Sequence, residues 1–135
     1  VDEVVKGKPR KIFLMIGIND VSHHQKSDFI VNEIAQLIEK IKEASPRTKL
    51  YIQSILPINS SFGHYSRLSG REEQVPEINE KLKTLAKSWN LTYIDLFPLF
   101  VETGTNRLRA DITGDGLHLF EEGYNILRRE LKKHL

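Results

Sequence analysis

"KIFLMI", residues 11–16, is a short and almost unbroken apolar run that ends at Gly17, and it decides the fold that the sequence predicts. A run of this length without polar alternation is typical of a strand buried on both faces, as in parallel sheets. Such a strand looks central and needs a neighbour on each side. We therefore expect further strands beside it that are not in this chain, or another chain, such as a second copy, that covers its edge.

The segments after residue 17 alternate between helical and strand patterns. In chain order they are a helix from Ser27 to the stop at Ser45-Pro46, a strand at 49–56, a polar loop at 58–73, a helix at 75–89, a strand at 91–96, an irregular stretch at 98–118 and a helix that starts near Glu121. Counted with the first strand, the order β-α-β-α-β-α predicts an α/β fold with a parallel sheet.

The composition limits the class of protein and its partners. The 135 residues suffice for one domain with its own core. The net charge of +2 is too small, and the cations too dispersed, to predict a nucleic-acid partner. No window reaches the apolar length of a membrane span. The chain has no cysteine, which excludes a disulfide framework and a thiol nucleophile. Nothing predicts a metal site or a cofactor, and the compartment is left open.

Ligands of open parallel sheets bind beyond the carboxyl ends of the strands, which we call the carboxyl edge. Three segments are expected to meet there, namely "GIND" at 17–20, "PINSS" at 57–61 and the stretch leading to "GDGLH" at 114–118. We expect Gly17, Pro57 and Asn59 to contact a substrate at this edge. The polar loop at 58–73 is long for a compact domain, which is often a sign of function.

Three side chains in these segments suit acyl transfer. Asn19 offers an uncharged amide that can stabilise an oxyanion by hydrogen bonding. His118 can take a proton near neutral pH. Asp115 can accept a hydrogen bond from Nδ1 of His118, which fixes the tautomer of the ring and stabilises its protonated form.

Each motif taken alone has a simpler explanation. Glycine, asparagine and aspartate after a strand commonly form a turn. An Asp-x-x-His sequence near a helix start is usually a capping or surface feature. Asp95, at the end of the third predicted strand, is a rival for the role of the acid. The two motifs at one predicted edge nevertheless favour a shared catalytic site.

These residues resemble the SGNH (GDSL) hydrolase superfamily. "GIND" at 17–20 is similar to the family's third block, Gly-x-Asn-Asp, whose asparagine is an oxyanion donor. "DGLH" at 115–118 is similar to its fifth block, Asp-x-x-His, which carries the acid and the base. The intervening sequence resembles the bacterial acetylesterase and platelet-activating-factor-acetylhydrolase-like branches. The resemblance implies a flavodoxin-like, three-layer α/β/α fold.

The sequence departs from the family at its start. The first block, Gly-Asp-Ser with the nucleophile, and the second block, with an oxyanion-hole glycine, have no counterpart among the nine serines and eight glycines. Residues 1–20 resemble the approach to the family's third strand. The resemblance therefore implies a single SGNH hydrolase domain at residues 1–135 whose N-terminal strands are missing from this chain.

The function implied by the resemblance is that of a serine esterase. It would hydrolyse short-chain acetyl esters, with an acylated sugar as the expected substrate, through His118, Asp115 and Asn19 and a serine outside this chain. The expected partner is the missing N-terminal segment of the same protein, and this chain alone is expected to be inactive. The alternative is a non-catalytic, flavodoxin-like binding module or pseudoenzyme that keeps the edge and lacks the nucleophile.

Overall fold

Three parallel strands form the sheet in the computed structural model, which describes residues 6–7 and 9–135. They are β1 (Lys11–Leu14), β2 (Lys49–Gln53) and β3 (Thr92–Ile94), in the order β1-β2-β3. The register sets Ile12 opposite Leu50 and Ile52 opposite Tyr93. The predicted parallel α/β arrangement is confirmed. Residues 1–5 and 8 lie outside the described residues. They belong to the segment 1–20, which resembles the approach to the third strand of the SGNH hydrolases.

Five α-helices surround this sheet within the described part of the chain. They are α1 (Ile18–Ser22), α2 (Ser27–Ala44), α3 (Gln74–Ser88), α4 (Phe97–Phe100) and α5 (Glu121–Lys132). The three long helices lie where apolar periodicity predicts them. The two short ones were missed, because four or five residues are too few for a periodic pattern.

Side chains alternate between two cores, one on each face of the sheet. Ile12, Leu50 and Ile52 pack with α2 and α3 in the first core. Phe13, Tyr51 and Ile94 face the other way and pack with residues of α5 in the second. Successive strand residues point to opposite faces, so a strand covered by helices on both sides is apolar at most of its positions. The result is the three-layer α/β/α arrangement that the sequence predicts.

Within the described sheet β2 is the central strand and β1 lies at one edge, so the prediction that further strands outside this chain flank β1 stays a prediction. All of Leu50–Gln53 is buried, whereas β1 pairs only with β2 and its Phe13 and Leu14 are half-buried. The strand predicted at 11–16 ends earlier, at Leu14. Met15 and Ile16 lie outside the sheet and are 36% and 37% exposed. The other edge of β1 has no partner among the described residues.

Polar side chains fix the path of the chain beyond the strands. Asn79 on α3 is buried, and its amide accepts a hydrogen bond from the backbone N–H of Ile55 (2.7 Å) and donates one to the carbonyl of Ile55 (2.9 Å). Ser54 accepts hydrogen bonds from the backbone N–H groups of Leu96 and Phe97. Buried backbone groups are thereby satisfied where the sheet ends. These bonds hold the segments after β2 and β3 at the carboxyl edge.

Candidate active site

The turn at 113–118 is held by its own side chains. Asp115 Oδ1 accepts hydrogen bonds from the backbone N–H groups of Leu117 (2.8 Å) and His118 (2.7 Å). Thr113, which is buried, accepts from the N–H of Gly116 and donates to the carbonyl of His118 (2.6 Å). Aspartate and threonine commonly bond to nearby backbone in this way. The turn therefore presents Asp115 and His118 side by side just before α5.

The carboxylate and the imidazole of this turn are in direct contact. Asp115 Oδ2 lies 2.7 Å from Nδ1 of His118. The Asp115 side chain is 24% exposed and the His118 side chain 66% exposed. Among the described residues, Nε2 of His118 makes no hydrogen bond. An ionised carboxylate can only accept, so Nδ1 carries the proton and Nε2 is the basic nitrogen.

Two opposing influences act on the carboxyl of Asp115. Burial is the largest and raises its pKa, because a charged group loses solvation. Hydrogen bonds from the His118 side chain, from the backbone of His118 and Leu117, and from Tyr65 stabilise the charged form. The combined effect of these hydrogen bonds exceeds that of burial and holds the pKa of Asp115 well below its ordinary value. Asp115 is therefore ionised at neutral pH.

This lowered pKa predicts how Asp115 affects stability. Because its pKa is lower in the folded state, Asp115 stabilises the fold fully above its unfolded pKa of about 4, and the effect is lost as the pH falls through the folded pKa. We expect Asp115→Asn to lower the free energy of unfolding near pH 7 by about 1 kcal/mol, after allowance for solvent screening. Urea unfolding between pH 3 and 7 measures this difference, which should shrink below about pH 4.

The matched control is Asp111→Asn, because Asp111 is exposed and paired with Arg109 on the surface. We expect it to change the free energy of unfolding little. A constant difference between the Asp115→Asn variant and the parent protein at every pH would contradict the assigned hydrogen bonds.

The three predicted segments meet at the carboxyl edge. A cavity of about 140 Å³ is lined by Ile18 from the first segment, Pro57 from the second and Leu117 from the third, together with Ile16 just before the first segment. Leu117 lies between Asp115 and His118, so the cavity adjoins the turn that carries them. The expectation that residues 17–20 and 115–118 share one edge is confirmed.

Asn19 lies in the first turn of α1 with an exposed side chain. Its backbone carbonyl accepts hydrogen bonds from Ser22 Oγ (2.6 Å) and His23 Nδ1 (2.7 Å). Its side-chain amide makes no hydrogen bond within the described residues and so remains available as a donor. The role of Asn19 at an oxyanion stays a prediction.

Gly17 is needed by the turn that starts α1. Its φ is +122°, and a Cβ there would lie 2.9 Å from Cδ1 of Ile55. Glycine adopts such angles without the steric cost of a side chain. The predicted contacts of Gly17 and Pro57 with a substrate are not tested by this geometry and remain predictions.

Residues 1–126 match the GDSL-like lipase/acylhydrolase family, which is most of the chain. The chain belongs to this family. The resemblance seen in "GIND" and "DGLH" is thus confirmed at the level of the family. No curated protein matches the chain in sequence.

Several solved structures share the fold of this GDSL family member. A GDSL-like lipase from Bacteroides thetaiotaomicron VPI-5482 is 22% identical with a TM-score of 0.86, over 98% of this chain and 65% of that one. A member of the lipolytic protein G-D-S-L family from Veillonella parvula DSM 2008 is 26% identical with a TM-score of 0.67, over 91% and 61%. An acetyl xylan esterase is 21% identical with a TM-score of 0.77, over 99% and 71%. The chain spans 58–65% of the length of the first solved structures that it matches.

Asn59 has an internal role in this GDSL family member, in place of the substrate contact predicted from the sequence. It is only 4% exposed. Its Nδ2 donates to the carbonyl of Leu108 (3.1 Å), and its Oδ1 accepts from the N–H and the hydroxyl of Ser61. Its backbone N–H donates to the carbonyl of Gly116 (2.8 Å). Asn59 therefore fastens the loop after β2 to the turn that carries the acid and the base.

None of the nine serines is hydrogen-bonded to His118 in the part of the chain that the structure describes. The two serines of "PINSS", the second segment expected at the carboxyl edge, both use their hydroxyls in hydrogen bonds. Ser60 Oγ donates to Glu72 (2.6 Å), and Ser61 Oγ donates to Asn59. The structure thus assigns neither of them to the position of a nucleophile.

Tyr65 is a site residue that the sequence analysis missed. Its hydroxyl lies 3.1 Å from Oδ2 of Asp115 and 3.2 Å from Nδ1 of His118. The polar loop at 58–73 had been noted as long, but no spacing in the sequence relates Tyr65 to a residue 50 positions away. Asp95, the rival acid, is exposed after β3 and is not a hydrogen-bond partner of His118.

The described residues form neither a metal-ligand cluster nor a membrane-spanning helix. No group of three or more His, Cys, Asp or Glu side chains there is arranged to hold a metal ion. None of the helices described is both long enough and apolar enough to cross a membrane.

Proposed function

We propose that the full-length protein containing this chain is a serine esterase that transfers a short acyl group to water. The observation that carries the proposal is the 2.7 Å contact between Asp115 Oδ2 and Nδ1 of His118, on the turn whose Leu117 lines a cavity together with Ile18, the neighbour of Asn19 in the chain. This contact leaves Nε2 as the basic nitrogen, which a general base requires.

The mechanism has two steps. A serine hydroxyl attacks the ester carbonyl while Nε2 of His118 takes its proton, and Asp115 stabilises the resulting imidazolium. The amide of Asn19 donates to the oxyanion, and His118 returns the proton to the departing alcohol. Water then attacks the acyl-enzyme through the same base and releases the acid and the free serine.

The nucleophilic serine is proposed to come from a segment outside this chain. Nε2 of His118 has no partner among the described residues, and the His118 side chain is 66% exposed. An oxyanion site is effective when water is excluded, so this edge requires a cover. Among the described residues β1 pairs on one side only, and Met15 and Ile16 after it are exposed, which supports the proposal that further strands add to the sheet there.

An acetyl group on a sugar is the proposed substrate. The cavity of about 140 Å³ beside Leu117 is lined by apolar side chains, among them Ile16, Ile18 and Pro57. Such a lining is suited to the methyl group of an acetyl ester. The likeness in fold to an acetyl xylan esterase supports a carbohydrate as the alcohol.

The full-length protein tests this proposal when it is assayed with p-nitrophenyl acetate, p-nitrophenyl octanoate and acetylated xylo-oligosaccharides. We expect hydrolysis of the acetate to exceed that of the octanoate by at least about tenfold in kcat/KM. We also expect a fluorophosphonate to label one serine in proportion to the loss of activity. Binding of the esters without turnover, and no labelled serine, would instead identify a non-catalytic binding module.

A further inference from the structure

Tyr65 is the one aromatic side chain with a hydroxyl that touches both members of the Asp115–His118 pair within the described residues. Its oxygen lies 3.1 Å from Oδ2 of Asp115 and 3.2 Å from Nδ1 of His118, and its ring centroid lies 6.0 Å from that of the imidazole. Because Asp115 is ionised and Nδ1 carries the proton, the Tyr65 hydroxyl donates to the carboxylate. Its oxygen is then a second acceptor near the N–H of Nδ1.

The Asp115–His118 pair gains from a third group because a single hydrogen bond leaves an imidazole free to turn about it. Among the described residues, Nδ1 of His118 has only Asp115 Oδ2 and the Tyr65 hydroxyl as side-chain partners. A ring and a hydroxyl placed against the pair restrict both the carboxylate and the imidazole.

Contacts on both sides of Tyr65 hold its loop in place. Nε2 of His24 bonds to the backbone carbonyl of Arg67 (2.8 Å), which ties the loop to the segment after α1. Leu68 is buried in the first core. At the other end, Glu72 accepts hydrogen bonds from the backbone N–H (2.7 Å) and the hydroxyl of Ser60. The loop that carries Tyr65 is thus held to the segment after α1 at one end and to Ser60 at the other, while the Tyr65 hydroxyl reaches the turn that carries His118.

We propose that Tyr65 is a positioning residue, which holds the Asp115 carboxylate against the Nδ1–H of His118 and thereby keeps Nε2 as the oriented base. This inference rests on the proposed function. Tyr65 takes no proton from the substrate and forms no bond to it, and its effect on the reaction passes through Asp115 and His118. Its removal should therefore slow the chemical step and leave substrate binding nearly unchanged.

Tyr65→Phe in the full-length protein tests the proposal, because it removes the hydroxyl and keeps the ring. We expect kcat for p-nitrophenyl acetate to fall about tenfold and KM to stay within about twofold. We also expect the pKa of the Asp115 carboxyl, followed by carbon-13 NMR, to rise toward its ordinary value, since a hydrogen bond to the charged form is lost. A merely structural role of Tyr65 would not move that pKa.

The matched control is Tyr124→Phe, because Tyr124 is similarly exposed on α5. It should alter neither kcat nor the titration of Asp115. An unchanged kcat in Tyr65→Phe, or a lower kcat without a shift in the Asp115 titration, overturns the proposal. If the parent protein hydrolyses no ester, the proposed function fails, while the titration still decides whether the Tyr65 contact exists.

A reciprocal measurement covers the case in which Tyr65→Phe does not fold. Burial, followed by the hydrogen bond to Asp115 and the charge of that carboxylate, raises the pKa of the Tyr65 phenol. Asp115→Asn should therefore lower the pKa of Tyr65 toward its ordinary value. An unchanged Tyr65 titration in that variant contradicts the contact on which the proposal depends.

Discussion

His118→Ala is expected to lower kcat/KM of the full-length protein by at least about 10³-fold, or about 4 kcal/mol in the barrier. The expected loss is large because the base both takes the proton of the nucleophile and returns it to the departing alcohol. His118 is exposed and makes its side-chain bonds only to Asp115 and Tyr65 within the described residues, so its removal should not unfold the protein. Hydrolysis of p-nitrophenyl acetate, together with far-UV circular dichroism, measures both effects.

His64→Ala is the matched control for this variant. His64 is also an exposed histidine, and it lies in the loop that carries Tyr65. We expect the esterase activity of the His64→Ala protein to remain within about twofold of the parent value. A His118→Ala protein that keeps most of its activity would refute the assignment of the base.

Gly116→Ala is expected to lower the free energy of unfolding by at least about 4 kcal/mol. Gly116 has a φ of +85°, and a Cβ there would lie 2.0 Å from the backbone oxygen of Asn59. The Asn59 oxygen belongs to the backbone and cannot move without shifting the chain. The backbone of Asn59 is also held at Gly116 by the hydrogen bond from its N–H to the Gly116 carbonyl. The turn must shift, and with it Asp115 and His118, so activity should be lost as well.

Gly104→Ala separates the steric effect from the backbone effect. Gly104 has a similar φ of +78°, but nothing lies within 4 Å of the position of its Cβ. Only the cost of a left-handed residue remains, about 1–2 kcal/mol. Urea unfolding of both variants measures the difference. Equal losses of stability would show that the approach of Asn59 to Gly116 does not matter.

Local patterns in the sequence predicted most of the secondary structure. The three long helices follow the spacing of their apolar residues, and the strands follow from short apolar runs. The contact of Asp115 with His118 was likewise predictable, because the two residues are three apart on one turn. Interactions over so few residues depend on the local backbone alone.

Three features of the site were not predictable in this way. Asn59 was assigned to the substrate, yet its amide is buried and bonded to Leu108, 49 residues away. Tyr65 was not noticed, although it touches Asp115. Met15 and Ile16 were assigned to a strand but lie beyond its end. Each outcome depends on partners that are distant in sequence.

The sequence by itself therefore determined the α/β fold and the Asp115–His118 pair, because periodicity and short-range spacing depend on neighbouring residues. The resemblance of its motifs to a known family also indicated the family. Only the tertiary structure decided that β1 lies at the edge of the described sheet, that Asn59 faces inward and that the Tyr65 hydroxyl reaches the pair. The reason is physical: burial and long-range hydrogen bonds depend on how the elements pack against one another, and no single segment specifies that packing.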